Sequence, residues 1–241
     1  MPSEFLSTLP YILLATGAGL AGSVIALFWS PGANIRSAVQ HFAAGAVLAA
    51  IASNVIPEVE RMGTLPGIVG GFVTGGLVMI ALKWIVVRFE HKENKKNQLP
   101  VGLAAAAAVD TFIDGTLISA GFSANAQLGA LLAIALALEL FFLTLSVGVE
   151  FRESKFQWWQ SLLVTGGIAL LLLVGALGAA FVLADVSEAI LAVVLAFGAA
   201  ALIYLIAEEL LVENVEAEES IVSTITLFSG FLALLILKVL E

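Results

Sequence analysis

Eight apolar segments of about twenty residues each follow one another along almost the whole chain. A stretch of this length is long enough to cross a lipid bilayer as a helix. Only helices and closed barrels satisfy their backbone hydrogen bonds in lipid, so the pattern predicts an all-α, polytopic membrane protein. Residues 1–241 are expected to form a single transmembrane domain in the lipid bilayer, with segments at about 9–29, 38–58, 65–88, 100–122, 127–149, 158–184, 188–210 and 220–240.

The composition excludes a soluble protein. Of the 241 residues, 61% are hydrophobic and 12% are charged, whereas soluble domains carry about 25% charged residues. No cysteine occurs, so disulfides and thiolate metal sites are excluded. Metal ligands would have to be oxygen atoms or the two histidines, His41 and His91. We expect neither a resident cofactor nor a nucleic-acid partner.

Basic residues predict the orientation in the membrane. Because consecutive segments alternate in direction, Arg61 and Lys238 fall on one side, and a larger group falls on the other: Arg36, Lys83, Arg88, Lys92, Lys95, Lys96, Arg152 and Lys155. The side richer in Lys and Arg is expected to be cytoplasmic. Both termini would then be extracellular or periplasmic in a multi-pass protein of the cell (plasma or inner) membrane.

Segment four carries two carboxylates in the middle of an apolar run, at Asp110 and Asp114. Residues four apart share a helix face, and leaving such charges unpartnered in a membrane costs several kcal/mol. Glu139 lies at a similar depth in segment five. Three clustered carboxylates cannot all stay ionised without a cation, which predicts a site for a metal ion or protons. Alternatively, the acids stay protonated and hydrogen-bond neighbouring helices through hydroxyls such as those of Thr111 and Ser146.

Two internal sequence matches predict an inverted repeat. A shift of 155 residues aligns segment two with segment seven and matches Phe42 with Phe197, Asn54 with Glu209, Glu58 with Glu213, and residues 43–46 with 198–201. A shift of 29 residues aligns segment four with segment five and matches Asp110 with Glu139 and Phe112 with Phe141. Each pair of segments runs in opposite directions. Segments 1–3 would therefore mirror segments 6–8 around a central pair, which is typical of transporters with a midplane site.

Further polar residues lie at the ends of segments two and seven. Asn54 and Glu58 are at the predicted outer end of segment two, and Glu208, Glu209 and Glu213 are at the predicted inner end of segment seven. This arrangement suits the entrance and the exit of a cation path. Alternatively, Glu58 and Glu213 are ordinary solvated helix ends.

Glycines are concentrated in segments one and three. Small residues at helical spacing let two helices approach closely. We interpret them as contacts within one subunit, and a homodimer interface is the alternative.

Four stretches of the chain resemble motifs of one transporter family. Residues 42–58 resemble its small-residue run ending in His-x-x-Pro-Glu, with Asn54 in the His position. Residues 110–115 resemble His-Asn-x-Pro-Glu-Gly, and residues 135–146 resemble a second copy of that motif. Residues 204–213 resemble Tyr-Val-Ala-x-x-Glu-x-x-Pro-Glu. The chain is in these respects similar to the ZIP (Zrt/Irt-like) family of divalent-metal transporters.

The resemblance implies eight spans in a 3+2+3 inverted arrangement, with a metal site made by spans four and five. Asp110 stands in the place of the first motif's His, Asp114 in that of its Glu, and Glu139 in that of the second motif's His. The motif histidines are absent, and Ile113 and Phe142 replace the motif prolines. The resemblance then implies a single metal site made of the three acids. Its all-oxygen ligands favour ions such as Mn²⁺, Mg²⁺ or Fe²⁺ over zinc.

The sequence thus favours a protein that is not an enzyme but transports a divalent metal cation (Mn/Fe/Zn-type) into the cytoplasm by alternating access. One alternative is a ZIP-like protein that has lost the metal and carries protons or an organic cation. Another is an intramembrane enzyme that uses Asp110 and Asp114 as an acid pair. A phosphate site would require basic residues near these acids, and the sequence has none at that depth.

Overall fold

The computed structural model describes residues 2–90, 101–154, 157–207 and 221–240. This part of the chain is helical and contains no strand. The α-helices are α1 (Pro2–Phe28), α2 (Ala33–Ala50), α3 (Ile56–Met62), α4 (Leu65–Glu90), α5 (Val101–Ala124), α6 (Ala126–Glu153), α7 (Trp158–Val182), α8 (Glu188–Leu205) and α9 (Ile221–Leu240). A π-helical turn, Ile51–Val55, joins α2 to α3.

Eight helical stretches in the described ranges are long and apolar enough to cross a membrane, with α2, the π-helical turn and α3 forming one of them. Their length and composition confirm the predicted all-α, multi-pass class. The second stretch, Asn34–Met62, is longer than the predicted 38–58 because polar residues at both ends continue the helix. Helix α8 ends at Leu205 and is followed by π-helical backbone at Ile206 and Ala207.

Large apolar side chains are exposed on the helices at the periphery. On α4, Leu77 is 59% exposed, and on α9, Phe228 is 67% exposed. Contiguous apolar surface on this scale is unfavourable in water. It is the surface that a helix presents to lipid.

Short connections make consecutive spans antiparallel, so the molecule has two ends. The 29–32 end contains residues 29–32, between α1 and α2, together with Ser154 and Gln157, which lie between α6 and α7. The 63–64 end contains residues 63–64, between α3 and α4, together with Asn125 and residues 183–187.

Helices α1, α5, α6 and α7 pack together and form the acid-bearing bundle. The other helices pack mainly as two pairs, α2 with α9 and α4 with α8, which α3 connects by its contact with α8; α2 also packs against α6. These five helices are called the second bundle. In the acid-bearing bundle, the Ser119 hydroxyl of α5 donates to the Ala176 carbonyl of α7 at 2.6 Å. In the second bundle, the hydroxyls of Ser37 on α2 and Ser223 on α9 are 3.0 Å apart. Such bonds fix the helices of each bundle relative to one another.

Candidate cation site

A one-residue turn brings the acidic residues of α5 and α6 to the same depth. Asn125 alone joins the two helices, and its side-chain oxygen accepts the N–H of Gln127 at 2.9 Å. Asp110 and Asp114 precede this turn, whereas Glu139 follows it. With a rise of about 1.5 Å per residue, all three lie roughly 16–22 Å from the turn along their helices. An antiparallel pair must therefore place them at one level.

The three carboxylates converge in the interior of the acid-bearing bundle. One oxygen from each of Asp110, Asp114 and Glu139 lies within 4.8 Å of the other two. The three residues are only 3%, 1% and 3% exposed. This is the one group of three such residues that has metal-site spacing within the described part of the chain.

Several oxygens around this cluster have no partner among the described residues. Both carboxylate oxygens of Asp114 and the hydroxyl of Thr111 are buried without a hydrogen bond to any described residue. Thr111 is fully buried and lies one turn before Asp114, on the same side of α5. Buried polar atoms are nearly always hydrogen-bonded. The exceptions here make the cluster a candidate binding site.

The spacing of the carboxylates fits a small divalent cation. An ion that binds oxygens at about 2.1 Å in octahedral geometry holds neighbouring ligands about 3 Å apart and opposite ligands about 4.2 Å apart. The carboxylate oxygens lie within 4.8 Å of one another, so side-chain movements of about 1–2 Å would bring them to coordination distance. Carboxylate and hydroxyl oxygens are ligands for Mg²⁺ and Mn²⁺. The described site offers no nitrogen or sulfur ligand.

Each acid-bearing helix is held by a glycine contact with a neighbour. A methyl group on Gly115 of α5 would overlap the Leu172 carbonyl of α7, and one on Gly175 of α7 would overlap the Phe112 carbonyl. On α6, the Thr144 hydroxyl donates to the Gly19 carbonyl of α1 at 2.8 Å. These close contacts set the positions of the two helices that carry the carboxylates.

The predicted path residues that the structure describes lie outside the three-acid cluster. Asn54 is half-buried in the π-helical turn, where its amide donates to the Ser53 hydroxyl at 3.0 Å. Glu58 accepts a hydrogen bond from Arg61 at 2.7 Å. Ser146 is half-buried and lines a surface cleft near the 29–32 end. Glu208, Glu209 and Glu213 lie outside the described residues.

Of the two candidate histidine ligands, the one that the structure describes is not part of the cluster either. His41 lies near the 29–32 end, where its Nδ1 atom is 2.8 Å from the Ser37 carbonyl oxygen. His91 lies outside the described residues. The candidate donors in the described site are therefore all oxygens.

Sequence reasoning missed the role of Lys238. Its ammonium group donates to the Ser53 carbonyl, which lies in the π-helical turn. Pro57 has no N–H, so it cannot make the α-helical bond to the carbonyl four residues earlier, which is that of Ser53. Lys238 supplies the missing donor. Pro57 was the signal in the sequence that could have predicted this irregular turn.

Comparison of the sequence with protein-family models found no match, and comparison with curated proteins found none either. The resemblance to ZIP transporters therefore remains a prediction from the motifs. The function has to be inferred from the geometry of the site itself.

Proposed function

We propose that this protein is a ZIP-like transporter that carries a divalent metal cation into the cytoplasm through the site at Asp110, Asp114 and Glu139. The observation that carries the proposal is the convergence of three buried carboxylates, with both Asp114 oxygens lacking a hydrogen-bond partner among the described residues. A cation of charge +2 would compensate most of the carboxylate charge. An all-oxygen donor set favours Mn²⁺, Mg²⁺ or Fe²⁺ over Zn²⁺.

The backbone supports the proposed inverted repeat. The π-helical turn of the second span starts at Ile51, and π-helical backbone reappears at Ile206. These positions are 155 residues apart, the same shift that aligns Phe42 with Phe197. π-Helical turns are rare and are frequent at functional sites, so two at equivalent positions favour a repeated unit.

Helix contacts in the second bundle support the same repeat. A methyl group on Gly75 of α4 would overlap the Phe197 carbonyl of α8, and one on Gly230 of α9 would overlap the Phe42 carbonyl of α2. The two glycines are 155 residues apart, and so are the two phenylalanines. The predicted repeat, which relates spans 1–3 to spans 6–8, therefore converts one contact into the other.

The acid-bearing bundle has a corresponding pair of contacts. Gly175 of α7 meets the Phe112 carbonyl of α5, and Gly22 of α1 meets the Phe141 carbonyl of α6. Phe112 and Phe141 are related by the shift of 29 that also relates Asp110 to Glu139. These matched contacts favour a 3+2+3 arrangement with the acids at its centre, where inverted-repeat transporters bind their substrates.

The two bundles offer a basis for alternating access. All three acids belong to the acid-bearing bundle, so movement of this bundle against the second bundle would expose the cluster to each side in turn. Arg36, Arg88 and Arg152 lie towards the 29–32 end, which makes this end cytoplasmic by the charge rule. In this proposal, Asn54 and Glu58 admit the ion, and Glu208, Glu209 and Glu213 receive it.

Uptake by proteoliposomes tests the proposal. Asp114→Asn and Glu139→Gln should abolish uptake of the ion that the wild type carries, with Mn²⁺, Fe²⁺, Mg²⁺ and Zn²⁺ tested separately. Glu150→Gln is the matched control because Glu150 lies on the same helix as Glu139 but is exposed. Unchanged uptake in both site variants would contradict the proposal. Proton or organic-cation flux without any metal binding would favour the alternative substrate.

A further inference from the structure

Two lysines occupy equivalent positions in the proposed repeat. Lys83 on α4 and Lys238 on α9 are 155 residues apart, the same shift that relates Gly75 to Gly230. Both lysines lie within helices of membrane-spanning length, where a basic side chain pairs with an acid or a backbone carbonyl, or extends to the membrane surface. A partner found for one of them therefore predicts the partner of the other.

Lys238 is paired with the π-helical turn of the second span. Its ammonium group donates to the Ser53 carbonyl, in the third residue of the turn. Helices α2 and α9 lie side by side and run in the same direction, with Gly230 against the Phe42 carbonyl. Lys238 lies eight residues beyond Gly230, and residue 50 lies eight residues beyond Phe42. The lysine is thus beside the start of the turn, and its flexible four-carbon stem extends to Ser53.

Lys83 stands in the same relation to the end of α8. Helices α4 and α8 also run in the same direction, and Gly75 lies against the Phe197 carbonyl. Lys83 lies eight residues beyond Gly75, and Leu205 lies eight residues beyond Phe197. Leu205 is the last residue of α8, and π-helical backbone follows at Ile206. Lys83 is thus beside the start of this π-helical backbone.

We infer that Lys83 holds the π-helical backbone after α8, as Lys238 holds the π-helical turn after α2. The acceptor is a backbone carbonyl, because a π-helical bond joins residues five apart and leaves a carbonyl of the α-helical ladder without its usual partner. Asn54 and Glu209 are predicted path residues at corresponding positions of the repeat, and Glu209 lies outside the described residues. By fixing the neighbouring backbone, each lysine positions one of them, a consequence that rests on the proposed function.

Hydrogen–deuterium exchange of the full chain in detergent, without added metal, tests this inference. Backbone amides exchange faster where the loss of a contact makes local opening easier. Lys83→Met keeps most of the side-chain length but removes the ammonium donor, so exchange in peptides covering residues 203–209 should become several-fold faster, with residues 51–57 unchanged. Lys238→Met should have the reverse effect on the two regions.

Arg88→Met is the matched control for this experiment, because Arg88 is also an exposed basic residue of α4. It should leave exchange in both regions unchanged. Unchanged exchange at residues 203–209 in Lys83→Met would overturn the inference and leave Lys83 as a side chain that extends to the membrane surface. An equal increase in both regions would also contradict it, because that result would indicate a general loss of stability.

Further variants distinguish a backbone acceptor from a carboxylate acceptor. Lys83→Arg should restore the slow exchange, because a guanidinium group can also donate to a carbonyl. The effect of Lys83→Met should persist when Glu208 and Glu209 are both replaced by Gln, since the backbone carbonyls remain. Disappearance of the effect in that background would assign Lys83 to an ion pair and contradict the inference. No ion is present in these measurements, so a lack of metal uptake by the wild type would refute only the proposed function.

Discussion

Two regions place polar groups inside apolar spans, and they differ in how those groups are satisfied. In the π-helical turn, the Asn54 amide donates to the Ser53 hydroxyl, which donates to the Ala49 carbonyl, while Lys238 binds the Ser53 carbonyl. In the acid cluster, both oxygens of Asp114 and the Thr111 hydroxyl lack a partner among the described residues. The turn is satisfied by its own neighbours, whereas the cluster has oxygens available for a ligand.

This difference assigns different roles to the two regions. A buried polar group without a partner costs about 1–3 kcal/mol, and a charged one costs more. The π-helical turn avoids this cost with an intramolecular donor. In the acid cluster, a bound cation or proton would remove this cost, which is what the proposed transport function requires.

The largest effect on the melting temperature is expected at Asp114, where neutralising the side chain should stabilise the metal-free protein. Asp114→Asn removes a buried charge that costs several kcal/mol when it is ionised and unpaired, so the melting temperature of the chelator-treated protein should rise. The same variant should lose the stabilisation by divalent metal that ligand binding gives the wild type. Thermal unfolding in detergent with and without Mn²⁺ measures both effects.

Asp185→Asn serves as the control for this prediction. Asp185 is exposed in the connection between α7 and α8, so its neutralisation should leave both melting temperatures unchanged. The opposite result would be an Asp114→Asn protein that melts at a lower temperature than the wild type without metal and is still stabilised by metal. That result would show that the polar groups of the cluster are satisfied internally, as in the π-helical turn.

The next effect concerns the donor at the π-helical turn. Lys238→Ala should cost about 1–3 kcal/mol of unfolding free energy, because it leaves the Ser53 carbonyl without a donor. Pro57→Ala restores a backbone N–H that can bind this carbonyl, so Lys238→Ala should cost much less in that background. A double-mutant cycle from denaturant unfolding measures the coupling.

Lys83→Ala is the control for this cycle, because Lys83 lies on α4, away from the turn. It should show no coupling to Pro57. Strictly additive effects of Lys238→Ala and Pro57→Ala would mean that Lys238 does not replace the N–H missing at Pro57.

A comparable effect is expected at the repeated glycines. Gly75→Ala and Gly230→Ala should each destabilise by about 1–3 kcal/mol, because the added methyl group overlaps a backbone carbonyl of the neighbouring helix. Gly70→Ala is the control, since its added methyl group meets no atom within 4 Å. Similar losses at Gly75 and Gly230 would support the repeat, and a loss at only one of them would argue against it.

The smallest effect is expected at Arg61. Its ion pairs with Glu58 at 2.7 Å and with Glu188 at 3.8 Å involve a half-exposed guanidinium group. Exposed pairs of this kind contribute about 0–1 kcal/mol, so Arg61→Ala should hardly change the melting temperature. If Glu58 admits the cation, the same variant should lower the KM for uptake, and an unchanged KM would favour the solvated helix end.

Much of the fold follows from the sequence because bilayer thickness sets the length of each apolar segment. The similar depth of Asp110, Asp114 and Glu139 could also be predicted, since a short turn between two helices leaves little freedom along their axes. The limits of the second span were not predicted, and Pro57 indicates only that a backbone hydrogen bond is missing near the π-helical turn, not which group replaces it. Apolar residues surround most of these helices, so the sequence shows no preferred face.

The sequence by itself determined the helical class, the eight membrane-length segments and the depth of the acids, because these depend on local composition and on counting along the chain. Only the tertiary structure decided which oxygens meet at the cluster, that Lys238 serves the carbonyl left free by Pro57, and that Gly75 and Gly230 pack against the carbonyls of Phe197 and Phe42. These features depend on how each helix is rotated and how closely it approaches its neighbour. Van der Waals contacts at glycines set both quantities, and they act between residues far apart in the chain.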